Sequence, residues 1–141
     1  MNDAPRMSVL GTSALLFEAP GETTLETQQR IWALAEKAEK WTEIDETAPG
    51  LNNLLLSFGR PPKSIAALES RLSQAWRDVT PMPLAGRIID LPVTYGGDDG
   101  PHMADVVAHT GLAIDAIVEI HTAPVYPVFA LGSHPGSCYL G

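Results

Sequence analysis

The side chains able to do chemistry crowd into the last third of the chain. His102, His109, His121 and His134, the single thiol Cys138 and the acidic pair Asp98-Asp99 all lie beyond Gly97. His121 ends an apolar stripe that Ile114, Ile117 and Val118 form at helical spacing. A histidine there can satisfy the last carbonyls and the helix dipole, or it can point into a site as acid, base or substrate anchor. His134 and Cys138 stand in H-x3-C spacing, but zinc needs three or four close ligands and there is no second thiol, so no metal site is assigned. As a nucleophile Cys138 would need a neighbouring base and a lowered pKa. Ser137 follows Gly136 directly, which does not make a Gly-x-Ser-x-Gly elbow. Asp98-Asp99, beside Gly96-Gly97, lacks the spacing of a calcium loop and reads as a solvated acidic turn. Neither a G-x-x-x-x-G-K-[ST] loop nor a G-x-G-x-x-G after a strand is present to cradle phosphate.

Charge divides the chain. All nine Lys and Arg fall in residues 1–87, and residues 88–141 carry six acids with no Lys or Arg. A nucleotide bound by the second half would therefore draw its positive charge from a metal or another subunit. The net charge of −8 argues against nucleic acid or an anionic membrane as the main partner. No apolar run approaches the roughly 18 residues of a spanning helix, and the start MNDAPRMS has no apolar leader, so a cytoplasmic location is expected. The 141 residues, 45% hydrophobic, suffice for one ordinary domain or two small ones. The charge shift and the segment Thr80-Pro81-Met82-Pro83-Leu84-Ala85-Gly86 predict a boundary, with domains at 1–84 and 85–141.

The first half shows regular periodicity. Residues 13–18 (SALLFE) read as a strand. Thr23 is the expected N-cap of a capping box with Glu26. The helix after it carries Leu25, Gln28, Ile31, Trp32, Ala35, Ala38 and Trp41 on one stripe. Strands are expected at 42–47 and 51–58, joined by a turn at Pro49-Gly50. Ser64 is the expected cap of a second helix bearing Ile65, Leu68, Leu72, Ala75, Trp76 and Val79. One further strand would complete a ferredoxin-like split βαβ domain of α+β class, and residues 87–93 are a candidate for it. Beyond that, a strand at 88–95, a glycine-rich loop at 96–101, short helices at 101–109 and 113–121, and a strand at 125–131 are expected.

Two stretches carry a family resemblance. Leu91-Pro92-Val93-Thr94-Tyr95-Gly96-Gly97-Asp98-Asp99-Gly100-Pro101-His102-Met103 resembles a "P-V-x-Y-G-G-x-x-G-P-D" opening. Ile120-His121-Thr122, with Tyr126 and the run Leu131-Gly132-Ser133-His134-Pro135-Gly136-Ser137-Cys138-Tyr139-Leu140-Gly141, resembles an "I-H-T … Y … L-G-F-x-P-G-F-x-Y-L-G-G" segment. Both are similar to the KipI / allophanate hydrolase subunit 1 family, which includes the B subunits of bacterial ATP-dependent 5-oxoprolinases. Leu10-Gly11-Thr12-Ser13-Ala14-Leu15-Leu16 is similar to that family's "L-G-D-x-A-L-L" opening, and Pro49-Gly50-Leu51 through Phe58 to its second β-hairpin.

The resemblance implies an α+β N-terminal domain followed by the first part of a cyclophilin-like β-barrel, of the carboxyltransferase domain C/D type. Family members run on past this point, so a truncated barrel is the expectation. The family's two phenylalanines are Ser133 and Ser137 here, its first acid is Thr12, and His102 follows Gly100-Pro101. By resemblance the chain is a hydrolase subunit that opens the lactam of 5-oxoproline to glutamate. ATP with Mg²⁺ would act at the level of the whole assembly, phosphorylating the lactam oxygen so that water can attack. The implied partners are an allophanate hydrolase subunit 2-like subunit and a LamB/YcsF-type subunit. His121 is the implied catalytic residue. Tyr95, Gly96 and Gly97 would line the substrate cleft, and Pro135, Gly136 and Tyr139 would shape its loop, whose backbone N–H groups could hold an oxyanion or carboxylate. Two other roles belong to the same resemblance: an inhibitor that binds a sensor histidine kinase, and a relative of the urea carboxylase carboxyltransferase region. The biotin-accepting Met-Lys-Met signature is absent, and no lysine follows Lys63.

Overall fold

The computed structural model describes residues 4–141. The reading of the first residues as free of an apolar leader falls partly on residues 1–3, outside the described ones. The chain is mixed α+β, with two antiparallel sheets and four helices among the described residues. It divides into two compact units: the described residues up to Leu84 together with Pro127–Gly141, and Ala85–Tyr126.

In the first unit, strands β1 (Arg6–Leu10), β2 (Ala14–Glu18), β3 (Glu46–Pro49) and β4 (Asn53–Ser57) form one antiparallel sheet in the order β1-β2-β4-β3. β2 and β3 are both antiparallel to β4, so they run parallel to each other with β4 between them. Helix α1 (Leu25–Ala38) connects those two parallel strands, and α2 (Ile65–Asp78) follows β4. Strand alternation decides the core. Leu15 and Phe17 of β2 pair with Leu56 and Leu54 of β4, and all four are fully buried. The helices supply the other wall, with Ile31, Leu34, Ala35 and Ala38 from α1 and Leu68, Leu72, Ala75 and Trp76 from α2. The Phe17 and Trp76 rings meet at 5.3 Å.

The elements depart from expectation in several places. The fourth strand is β1, at the N-terminal end of the sheet, and residues 87–93 form no strand. Arg6, Val9 and Leu10 of β1 are exposed, so it shows little of the periodicity that marks a buried strand. The cap of α1 is Thr24, one residue later than expected, and its hydroxyl accepts from the Thr27 N–H at 3.1 Å. The helix stops at Ala38, and Trp41 packs into the core from beyond it. The expected strand at 42–47 lies at Glu46–Pro49 instead. Pro49 sits on an edge strand, where a missing N–H is tolerated. The hairpin turn accordingly spans Gly50–Asn53, with Asn52 at φ 57°. Ser64 caps α2 as expected, accepting from Ala67 N–H at 3.2 Å.

A second sheet pairs β5 (Val128–Leu131) with β6 (Cys138–Leu140). The expected strand at 125–131 begins only after Pro127, which has no N–H to donate. This hairpin belongs to the first unit through Phe129, which is buried. Its carbonyl accepts from both Gln28 Nε2 (3.2 Å) and Trp32 Nε1 (3.0 Å). The Trp32 and Phe129 rings meet edge to face at 6.3 Å. Gln28 is the one buried polar side chain among the described residues of the core. It also donates to Gly50 O and accepts from Asn52 N–H, so all its hydrogen-bonding capacity but one lone pair is used.

The second unit holds helices α3 (Met103–Thr110) and α4 (Ile114–Thr122), and no side chain of either is buried. The strand expected at 88–95 is absent, and Ile88, Ile89, Leu91 and Val93 are exposed. A strand exists only by pairing, and Pro92 removes one of the donors a partner would use.

Candidate functional site

Within the second unit the segment from Tyr95 to His102 is a loop bent by its glycines. Gly96 and Gly97 have φ of +74° and +59°, a region open to glycine at little cost. The loop then closes on itself, and Gly100 N–H donates to Gly96 O at 3.0 Å. A Cβ on Gly100 would lie 2.5 Å from the Gly96 nitrogen, so only glycine fits. Met103 N–H donates to Gly100 O at 3.1 Å, which joins the loop to the start of α3. Gly111, at φ +71°, ends α3 as a left-handed cap whose N–H donates to Val107 O.

Helix α4 carries His121 in its last turn. That turn is tied off at several points. Ala123 N–H donates to Glu119 O at 3.0 Å, and Thr122 Oγ1 donates to Val118 O at 2.8 Å. The Tyr126 hydroxyl donates to the His121 carbonyl at 2.7 Å, one of the carbonyls a helix end leaves without a partner. On the other side the Tyr95 hydroxyl and His121 Nδ1 form a hydrogen bond. Two phenol rings thus neighbour the imidazole, Tyr95 at 5.7 Å and nearly perpendicular, Tyr126 at 5.9 Å and tilted by 48°. His121 is exposed, and among the described residues its Nε2 has no hydrogen-bond partner.

The structure therefore joins Tyr95, with Gly96 and Gly97 next to it, to His121. Sequence reasoning assigned no role to Tyr126. The available signal was its position, five residues past His121 and just beyond a helix end, within reach of the last turn. The other expected residues, Pro135, Gly136 and Tyr139, share the β5–β6 hairpin in the first unit. Ser137 N–H donates to His134 O at 3.0 Å, with Pro135 and Gly136 between them and Gly136 at φ +82°. That is the residue pattern of a type II turn. The Gly132 N–H donates to Ser137 O, so this N–H and that of Ser137 are both engaged inside the hairpin. Tyr139 lies on β6 opposite Ala130 and is half exposed. His134 Nδ1 lies 3.1 Å from Ser133 Oγ, and Cys138 is an exposed free thiol. His102 faces Asp105 at 3.3 Å in an exposed pair. Among the described residues no three His, Cys, Asp or Glu side chains come close enough to hold a metal ion, and no helix is long and apolar enough to cross a membrane.

Residues 5–141 match the family model of the carboxyltransferase domain, subdomain C and D. The chain belongs to this family. Two relatives of the carboxyltransferase-domain chain carry the name of the 5-oxoprolinase B subunit. That of Escherichia coli O157:H7 is 38% identical over 138 residues, covering 96% of this chain and 62% of the relative. That of Haemophilus influenzae is 30% identical over 132 residues, covering 94% and 62%. The chain thus spans less than two thirds of the length of either. The crystal structure of TTHA0988 superposes with a TM-score of 0.64 at 25% identity, over 90% of this chain and 25% of that one. Both stretches that carry the family motifs, the glycine loop after Tyr95 and the helix end at His121, fall inside the matched residues.

Proposed function

We propose that this chain is a subunit of an ATP-dependent 5-oxoprolinase-type assembly, opening the lactam of 5-oxoproline to glutamate only with its partner subunits. The observation that carries the reading is the 38% identity to the B subunit of a 5-oxoprolinase across 96% of the chain. The hydrogen bond between Tyr95 and His121, from two motifs 26 residues apart, supports a site on this chain. The partners in this reading are an allophanate hydrolase subunit 2-like subunit and a LamB/YcsF-type subunit, in the cytoplasm. His121 is the catalytic residue that contacts the lactam. Tyr95, Gly96 and Gly97 form its surroundings, and Pro135, Gly136 and Tyr139 shape a substrate-binding hairpin.

A nucleotide bound by the second half of this chain would draw its positive charge from a metal or another subunit. There is no phosphate loop, and residues 88–141 carry no Lys or Arg. ATP and Mg²⁺ belong in this reading to another subunit of the assembly. In fold terms, residues 1–84 act as a ferredoxin-like domain, a reading supported by β2 and β3 flanking β4 with α1 between them in sequence. Residues 85–141 act as part of a cyclophilin-like domain.

The test is 5-oxoproline-dependent ATP hydrolysis by the chain mixed with both partner subunits, beside a version extended to the length of its relatives. Turnover that needs this chain, in either form, supports the reading, and its absence with competent partners refutes it. His121→Ala is expected to lower that turnover by roughly 10²-fold or more, in the range of a lost hydrogen-bond donor to the reacting oxygen. An unchanged rate would remove His121 from the site.

A further inference from the structure

The ring nitrogens of a histidine are not equivalent, and the partner of one decides which carries the proton. Here Nδ1 of His121 is held by the Tyr95 hydroxyl. A phenol is the more acidic of these two neutral groups and an imidazole nitrogen the more basic, so the phenol donates and Nδ1 accepts. The proton of the neutral ring then sits on Nε2. That atom has no partner among the described residues, and the ring is exposed.

Two further contacts hold this arrangement. Tyr126 ties the His121 carbonyl at 2.7 Å, and its ring lies 5.9 Å from the imidazole, with Tyr95 nearly perpendicular at 5.7 Å. Tyr95 is itself half-buried and leads into a loop whose glycine geometry permits few alternatives. Backbone and ring of His121 are thus each held by a different residue, which limits the rotamers through which a free histidine would turn.

We propose that Tyr95, His121 and Tyr126 form one preorganised unit that presents Nε2–H of His121 as a hydrogen-bond donor to a carbonyl or carboxylate oxygen, with Tyr95 and Tyr126 as positioning residues. In its neutral form His121 then polarises an oxygen and does not abstract a proton. The choice of 5-oxoproline as the molecule supplying that oxygen rests on the function proposed above; the donor unit does not.

The tautomer is read from the two ring ¹⁵N shifts of His121, in a long-range ¹H–¹⁵N spectrum of the full chain labelled at histidine, at a pH where the ring is neutral. The expected result is an unprotonated Nδ1 and a protonated Nε2. Tyr95→Phe is expected to move both shifts toward the average of mixed tautomers. Tyr126→Phe is expected to keep the Nε2–H form and to broaden it. An Nδ1–H tautomer in the unaltered chain overturns the proposal, as do shifts that Tyr95→Phe leaves in place while the variant remains folded. Titration with 5-oxoproline and, separately, with acetate then reads the donor. A response of the Nε2–H signal to 5-oxoproline supports both readings. A response to acetate alone keeps the donor unit and removes 5-oxoproline. No response to either overturns the donor unit itself.

Discussion

Arg6 and Glu18 face each other across the β1–β2 pair, with two contacts of 2.6 Å in a forked geometry. The hydrogen bonds from Arg6 hold the Glu18 carboxyl below its ordinary value. A carboxylate whose folded pKa is lowered adds stability above its unfolded value and loses it as pH falls through the folded one. Arg6→Gln should therefore return the Glu18 titration midpoint to the ordinary carboxylate range and abolish that acid-side contribution, as ¹³C chemical shifts against pH would report. Both groups lie at the surface, so the effect on stability is small and shrinks with salt. Glycine substitutions belong to the same scale. Gly100→Ala forces a Cβ onto the Gly96 backbone, and the loop cannot keep its closure. The expected result is loss of the Tyr95–His121 contact, visible as a His121 ring-shift change without loss of the first unit's fold. Gly96→Ala meets no atom but incurs the strain of a left-handed φ, about 1 kcal/mol.

At the level of elements, one buried amide joins three segments. Gln28 of α1 reaches the β3–β4 turn at Gly50 and Asn52 and the β5 strand at Phe129. Gln28→Leu would leave Gly50 O and Asn52 N–H short of a partner in a partly buried turn, while Trp32 Nε1 still serves Phe129 O. The expected cost is about 3 kcal/mol, since an unsatisfied buried group costs roughly 1–3 kcal/mol. Urea unfolding of the variant measures it, and a loss under about 0.5 kcal/mol would show that the clamp is dispensable. Ser64→Ala tests the cap of α2 separately, with an expected loss of about 1 kcal/mol. Gln28 was visible in the sequence as the odd polar member of an apolar stripe. What it bonds to was not, because its partners lie 22, 24 and 101 residues away.

On the scale of the molecule, the two units are built unequally. Among the described residues the first has a closed core with nine side chains wholly removed from water, and the helices of the second bury none. Ile88 and Leu91 are each 77% exposed, and Val125 is 69% exposed. A unit as short as Ala85–Tyr126 cannot exclude much apolar surface alone. Amide hydrogen exchange should be markedly faster in α3 and α4 than in β2, β4 and α1, because opening free energy follows buried contact. Equal protection in both units would refute this. Exposed apolar side chains on this scale should also bind a hydrophobic dye such as ANS, and replacing Ile88, Leu91 and Val125 together by serine should reduce that fluorescence.

Local patterns sufficed for much of this protein. Helical spacing marked α1, α2 and α4, apolar runs bounded by glycine and proline marked β2 and β4, and hydroxyl caps sat within one residue of their places. The two glycine-bearing motifs were enough to point to the family that residues 5–141 match. These signals are legible because a turn of helix or a bent loop is determined by residues a few positions apart. Other features depended on the folded chain. β1 closes the sheet as an exposed edge, the segment 87–93 stays unpaired, and Phe129 docks on α1. The pairing of Tyr95 with His121, and the return of Tyr126 to the same helix end, give the histidine its orientation. Each of these is a choice of partner across the fold, settled by which strand edge, carbonyl or hydroxyl comes within hydrogen-bonding distance once the chain is packed.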